Sequence, residues 1–215
     1  MVVRVRVSEI FYSLQGEAKT VGQPTTFIRL TGCPLRCHYC DTAYAFQGGE
    51  LQTLDDIVDK VKTYPTKLVT VTGGEPLAQP DCLPLLRLLI QEGYRVSLET
   101  SGALPIASVP DAVSIVLDLK TPGSGEVHRN LYENIAELRS KDQIKFVILD
   151  KADYDWARFK ISEFDLTARV EEVLFSPVYE SLTPVRLAEW ILEDGLEVRL
   201  QVQLHKLLWG DKPGV

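Results

Sequence analysis

The sequence predicts an α/β fold, either a parallel barrel, complete or partial, or a doubly wound open sheet. Three observations point there. Strand-like and helix-like segments alternate along the 215 residues, as in βαβ units. The runs KLVTV (67–71) and VSIVL (113–117) are rich in β-branched residues, as strands covered on both faces tend to be. The unusual residues gather at or just past strand ends: the cysteines after TTFIRL, GGEP after KLVTVT, ETSG at the end of YRVSL, DLK at the end of AVSIVL and SPVY at the end of VEEVLF. That carboxyl edge is where barrels and open α/β sheets build their sites.

The strand-like segments are 2–10, 25–32, 67–74, 94–101, 112–120, 143–150, 170–178 and 196–205. Each is short and holds β-branched or aromatic residues. The helix-like segments are 53–64, 80–93, 129–140, 152–162 and 183–195. Thr53 precedes Asp55 and Asp56, and Thr183 precedes Pro184, which suits helix starts. Gly93 and Gly195 stand where helices stop. No linker, low-complexity tract or repeat interrupts the chain, so a single domain over residues 1–215 is predicted.

Composition narrows the function. The chain is 45% hydrophobic with a formal net charge of −7, which disfavours broad binding to a nucleic-acid backbone. No apolar run approaches the ~18 residues of a membrane span, and the N-terminus alternates Val with Arg without the apolar block of a signal peptide. A cytoplasmic protein with no membrane partner is expected.

Three of the four cysteines, Cys33, Cys37 and Cys40, fall in the spacing C-x3-C-x2-C. Crowded thiols in a reducing compartment point to metal, and thiolates suit an iron–sulfur cluster or zinc. Three thiolates leave a cubane with one iron open to a further ligand. A structural zinc site completed by His38 or Cys82 is the alternative. Cys82, alone at the head of a helix-like segment, otherwise has the character of a small buried hydrophobe.

The cysteine motif with Tyr39 before its third member, and Gly73-Gly74-Glu75-Pro76 after a strand, resemble the radical S-adenosylmethionine (SAM) superfamily. The ordered set IFYSLQGE, FIRLTGC, CDTAYAF, VTGGEP, ETSG and QLHK is similar to the 7-carboxy-7-deazaguanine synthase family. The resemblance implies a modified, partial TIM-like β/α barrel, a [4Fe–4S] cluster on Cys33, Cys37 and Cys40, and SAM chelating the open iron. It implies 6-carboxy-5,6,7,8-tetrahydropterin as substrate, ring contraction started by a 5′-deoxyadenosyl radical, loss of ammonia and regeneration of SAM. An external one-electron donor of flavodoxin or ferredoxin type and a homodimer are also expected.

The same resemblance assigns residues. Leu14, Gln15, Gly16, Glu17, Arg29 and Thr72 would meet substrate, Arg29 by pairing with its carboxylate. Tyr39, Cys40, Asp41, Gly73, Gly74, Glu75, Asp118, Leu119, Lys120, Ser176, Pro177, Val178 and Tyr179 would line the SAM site. Thr42 would hold Mg²⁺ with substrate present. Three departures stand out: Ala18 where relatives often have Gly, Asp118 in place of a Ser, and Ser176-Pro177 in place of Gln-Pro. Glu99 faces the cofactor or caps a turn. Gln203, His205 and Lys206 are expected on the last strand, and Asp211 in the tail is a candidate for the pterin edge. An activase acting on a partner protein and a non-catalytic zinc module are the rival readings.

Overall fold

The computed structural model describes residues 2–210, 212 and 214. Among the described residues, nine strands form one open sheet in the order β3-β1-β2-β4-β5-β6-β7-β8-β9. They are β1 (Arg4–Leu14), β2 (Pro24–Leu30), β3 (Glu50–Thr53), β4 (Leu68–Gly73), β5 (Arg95–Thr100), β6 (Ser114–Asp118), β7 (Gln143–Ile148), β8 (Glu172–Pro177) and β9 (Arg199–Leu200). From β2 to β9 in that order the neighbours run parallel, so their carboxyl ends share one edge. β3 and β9 are left at the two margins, which makes the sheet an incomplete β/α barrel.

The helices are α1 (Leu54–Lys62), α2 (Cys82–Gln91), α3 (Asn134–Glu137), α4 (Lys151–Phe164), α5 (Leu166–Arg169), α6 (Pro184–Asp194) and α7 (Leu204–Trp209). Thr53 caps α1 by accepting from the Asp56 N–H, and Thr183 caps α6 from the Arg186 N–H with Pro184 behind it. Gly195 ends α6 in the left-handed conformation. The helices press Leu85, Leu89, Tyr154, Ile161 and Leu187 onto Ile28, Val71, Leu98, Phe146 and Phe175 of the strands, and this layer is the hydrophobic core. Among the described residues no helix is long and apolar enough to cross a membrane.

Four features differ from the sequence expectation. β1 runs antiparallel to β2, and β3 adds to β1 antiparallel, so the first strands form a meander and not a βαβ unit. The predicted helix 129–140 shrinks to α3, because Asn side chains there serve neighbouring loops. Asn134 bonds Ile106 N, Gly102 O and Leu104 O, and Asn130 bonds both backbone groups of Lys120. The last strand pairs only at Arg199–Leu200. Gln203, His205 and Lys206 leave it: Gln203 precedes α7 and the other two lie within it. The cause is visible at Leu204, whose N–H turns to Gly16 O instead of continuing a ladder. α5 is a short extra turn between α4 and β8.

Candidate active site

The carboxyl edge of the parallel strands opens into a cavity of about 650 Å³. It gathers every site residue the sequence singled out, with two exceptions: Glu75 and Leu119. Leu119 is buried in the hydrophobic core, and its backbone N–H pairs with Lys145 O. Glu75 is turned inward, where it accepts from Leu77 N at 3.0 Å, Thr100 Oγ1 at 2.9 Å, Ser101 N at 2.7 Å and Ser101 Oγ at 2.5 Å. This carboxylate is spent on tying GGEP to the end of β5, so neither side chain opens on the cavity where a SAM contact was expected. Cys82 is likewise buried within the core, away from the cavity. Asp211 lies outside the described residues.

The three thiols sit on the loop after β2, half-buried, reduced and open to the same cavity. Arg36 shapes that loop. Its Nη1 donates to Cys33 O at 2.8 Å and Leu35 O at 2.6 Å, and its guanidinium lies 4.3 Å from the centre of the Phe46 ring. Burial raises all three thiols above the ordinary value, Cys37 to about 11. Such thiols give up their protons only on binding a cationic centre; what fits an iron–sulfur cluster is the donor set itself, three soft thiols opening on one cavity. Among the described residues no three His, Cys, Asp or Glu side chains converge on one ion. A cubane asks for something else, since each thiolate meets a different iron.

GGEP approaches this loop as closely as backbone can. Gly74 N donates to Leu30 O and Glu75 N to Gly32 O. A Cβ on Gly74 would stand 2.3 Å from Gly32 O and 2.7 Å from Cys33 Cβ, so only glycine fits there. Tyr39 points its hydroxyl to Val147 O and Thr121. At the end of β6, Asp118 pairs with Lys120 at 3.0 Å. Burial opposes its charge, yet Lys120 and Lys145 hold the carboxyl below its ordinary value. Asp118 Oδ1 is buried without a partner among the described residues.

The opposite wall is built from LQGE, β2 and β5. Arg29 donates from Nε to Glu9 at 2.7 Å and lies 5.9 and 5.8 Å from the Phe11 and Tyr44 ring centres. Its two terminal nitrogens have no partner among the described residues. Gln15 reaches Thr70 and Glu99, and Thr72 donates to Glu99 Oε2 at 3.0 Å. Glu99 therefore faces the cavity. Burial, then the nearby Glu17, raises its pKa. Thr42 precedes a 3₁₀ turn without capping it and donates to Asp41 Oδ1. Gln203 bonds Glu17 and Asp41, and the His205 ring covers Gly16.

The residue that the motifs missed is Lys145. On β7 the period-two face Gln143, Lys145, Val147 turns from the helices, whereas Ile144, Phe146 and Ile148 enter the core. A lysine in the middle of a parallel strand was the available signal, because such strands are covered on both faces.

The sequence model of the Radical SAM superfamily matches residues 27–147. The chain is 42% identical to the 7-carboxy-7-deazaguanine synthase of Koribacter versatilis, over 95% of this chain and 97% of that protein. It is 40% identical to the enzyme of that name from Chlorobaculum tepidum, over 98% and 97%. Among solved structures, the crystal structure of QueE from Escherichia coli superposes with a TM-score of 0.76 at 24% identity, covering 94% of this chain and 95% of that one, a likeness of fold.

Proposed function

We propose, since this chain belongs to the 7-carboxy-7-deazaguanine synthase family of the radical SAM superfamily, that it converts 6-carboxy-5,6,7,8-tetrahydropterin to 7-carboxy-7-deazaguanine with release of ammonia. The observation that carries the assignment is that three free thiols share one cavity with Arg29, Gln15 and Glu99. When bound, the [4Fe–4S] cluster and SAM supply the 5′-deoxyadenosyl radical that starts the ring contraction.

The chain's own residues do the rest. Cys33, Cys37 and Cys40 hold the cluster. The backbone of Gly73 and Gly74, with Tyr39, Asp41, Lys120 and Ser176 to Tyr179, lines the SAM side. Asp118 stands on that wall where relatives carry Ser, and its carboxylate keeps an acceptor for hydroxyls of the cofactor. Arg29 offers its two terminal nitrogens to the substrate carboxylate. Leu14, Gln15, Gly16, Glu17 and Thr72 pair with the pterin edge. Departure of ammonia needs a proton on the leaving nitrogen. Glu99 holds a proton to higher pH than a solvated glutamate, which suits it to that transfer. Thr42 offers magnesium one hydroxyl, so the ion belongs to the substrate-bound site, where substrate oxygens complete its shell.

An external one-electron donor of flavodoxin or ferredoxin type, a homodimer covering the sheet margins and a cytoplasmic location complete the proposal. The test is an anaerobic assay of the reconstituted protein with SAM, reductant, Mg²⁺ and the pterin. A product lighter by one ammonia, without stoichiometric loss of SAM, is expected. Cleavage of SAM to 5′-deoxyadenosine with the pterin unchanged would overturn the substrate.

A further inference from the structure

Lys145 belongs to none of the sequence motifs, yet it stands between the two halves of the cavity. β7 places it beside Asp118 on β6 and Leu174 on β8. Its ammonium lies 2.7 Å from Glu17 Oε2 and 3.6 Å from Asp118 Oδ2, and 14% of its side chain is exposed. The other Glu17 oxygen accepts from Gln203 at 2.8 Å, and Asp118 Oδ2 is shared with Lys120 at 3.0 Å. One buried cation thus touches an anion of the LQGE segment and an anion of the SAM wall. Burial works against that charge, while Glu17, Asp118 and Glu99 together keep the proton on. A buried ion pair seldom adds stability over an apolar replacement, so fold stability alone gives little reason for a lysine here.

We propose that Lys145 is a positioning residue that couples the substrate and SAM sites by holding Glu17 and Asp118 through one ammonium. This rests on the assignment of LQGE to substrate and of Asp118 to SAM made above. A ligand that draws Glu17 toward itself leaves Lys145 freer to neutralise Asp118, and the converse holds with SAM. Such coupling is reciprocal.

The test compares Lys145→Met, Glu17→Gln, Asp118→Asn and the two double variants containing Lys145→Met, all as cluster-reconstituted enzyme. SAM affinity is measured by equilibrium dialysis without reductant, and the pterin KM during turnover. Lys145→Met is expected to weaken both ligands by about tenfold, within the usual range of coupling between sites. Glu17→Gln should move chiefly the pterin KM and, by leaving the ammonium to Asp118, SAM affinity in smaller measure; Asp118→Asn should do the converse. In each double variant the matching ligand should bind no more weakly than in Lys145→Met alone, and Lys145→Arg should recover most of the loss. A lysine that served only the fold would lower the unfolding midpoint and give additive effects; additivity, or wild-type binding of both ligands by Lys145→Met, overturns the proposal. If Lys145→Met does not fold, Lys145→Met/Glu17→Gln removes cation and anion together. Weakened SAM binding there supports the coupling and wild-type SAM binding overturns it. If the wild type cleaves SAM but leaves the pterin unchanged, the substrate assignment has failed. Lys145 is then judged on SAM alone: a loss rescued by Lys145→Arg supports the role, and unchanged affinity sinks it.

Discussion

The proposed substrate wall turns on Arg29 and Glu99, and each has a rival structural use. Arg29 is already paired with Glu9 through Nε, so a partly buried ion pair would account for half of its fork. The other half is what a carboxylate needs, two parallel N–H donors. Arg29→Ala is expected to lower turnover about 100-fold, the worth of two charge-assisted hydrogen bonds at about 1.5 kcal/mol each. Cluster absorbance and SAM binding should be unchanged; turnover at the wild-type rate would leave Arg29 with Glu9 as its whole purpose. Glu99 gives a pH signature. Its pKa in the folded chain lies above the ordinary 4.5, from burial first and Glu17 second. The folded chain therefore binds this proton more tightly than the unfolded chain. The resulting stability is present in full below the unfolded value and drains away as pH rises through the folded one. Glu99→Gln removes the dependence, so the variant should gain stability over wild type as pH rises from about 4 to about 8. Urea midpoints measured across that range check it, and a constant difference would refute the raised pKa.

At the scale of elements, the junction of β4 with GGEP controls the cluster loop. Two backbone hydrogen bonds lock the exit of β4 to the exit of β2, and Gly74 lies where any side chain would strike Gly32 O and Cys33 Cβ. Gly74→Ala is expected to push the Cys33 segment outward and lower iron bound per chain by half or more after reconstitution, since an overpacked site forces the backbone to shift. Full iron loading would show that the loop yields freely. This junction was legible in the sequence, because the glycines, the preceding strand and the thiols all obey local rules. The parallel strands were legible for the same reason, from β-branched runs with helix caps between them. What escaped was fixed by partners far away in the chain. β3 exists because β1 offers it an antiparallel edge. α3 is short because Asn134 serves the loop at 102–106. Glu75 leaves the site because Thr100 and Ser101 draw it inward. Lys145 owes its role to Glu17, which lies in a different strand connection.

Taken as a whole, the molecule holds the segment proposed to meet substrate from residues nearly two hundred positions later in the chain. The loop between β1 and β2 meets the residues around β9: Ala18 N donates to Gln201 Oε1 at 2.6 Å and Arg199 donates to Ala18 O at 2.5 Å. Leu204 N reaches Gly16 O at 3.0 Å. Ala18 itself is left-handed, with φ 59°, a conformation that costs an L-residue about 1–2 kcal/mol and that glycine adopts freely. It persists in this chain because both of its backbone groups are gripped, while its methyl packs with Val116 and Leu174. Gln201→Leu releases one of those grips and leaves a buried N–H unpaired, at a cost of about 1–3 kcal/mol. The strained turn should then relax and carry Gln15, Gly16 and Glu17 with it. The expected result is faster hydrogen exchange at residues 15–20, a raised pterin KM, and fewer products formed per 5′-deoxyadenosine released, with SAM cleavage itself intact. Unchanged exchange and KM would show that the β1–β2 ladder holds the segment unaided, and that the C-terminal residues only cover it.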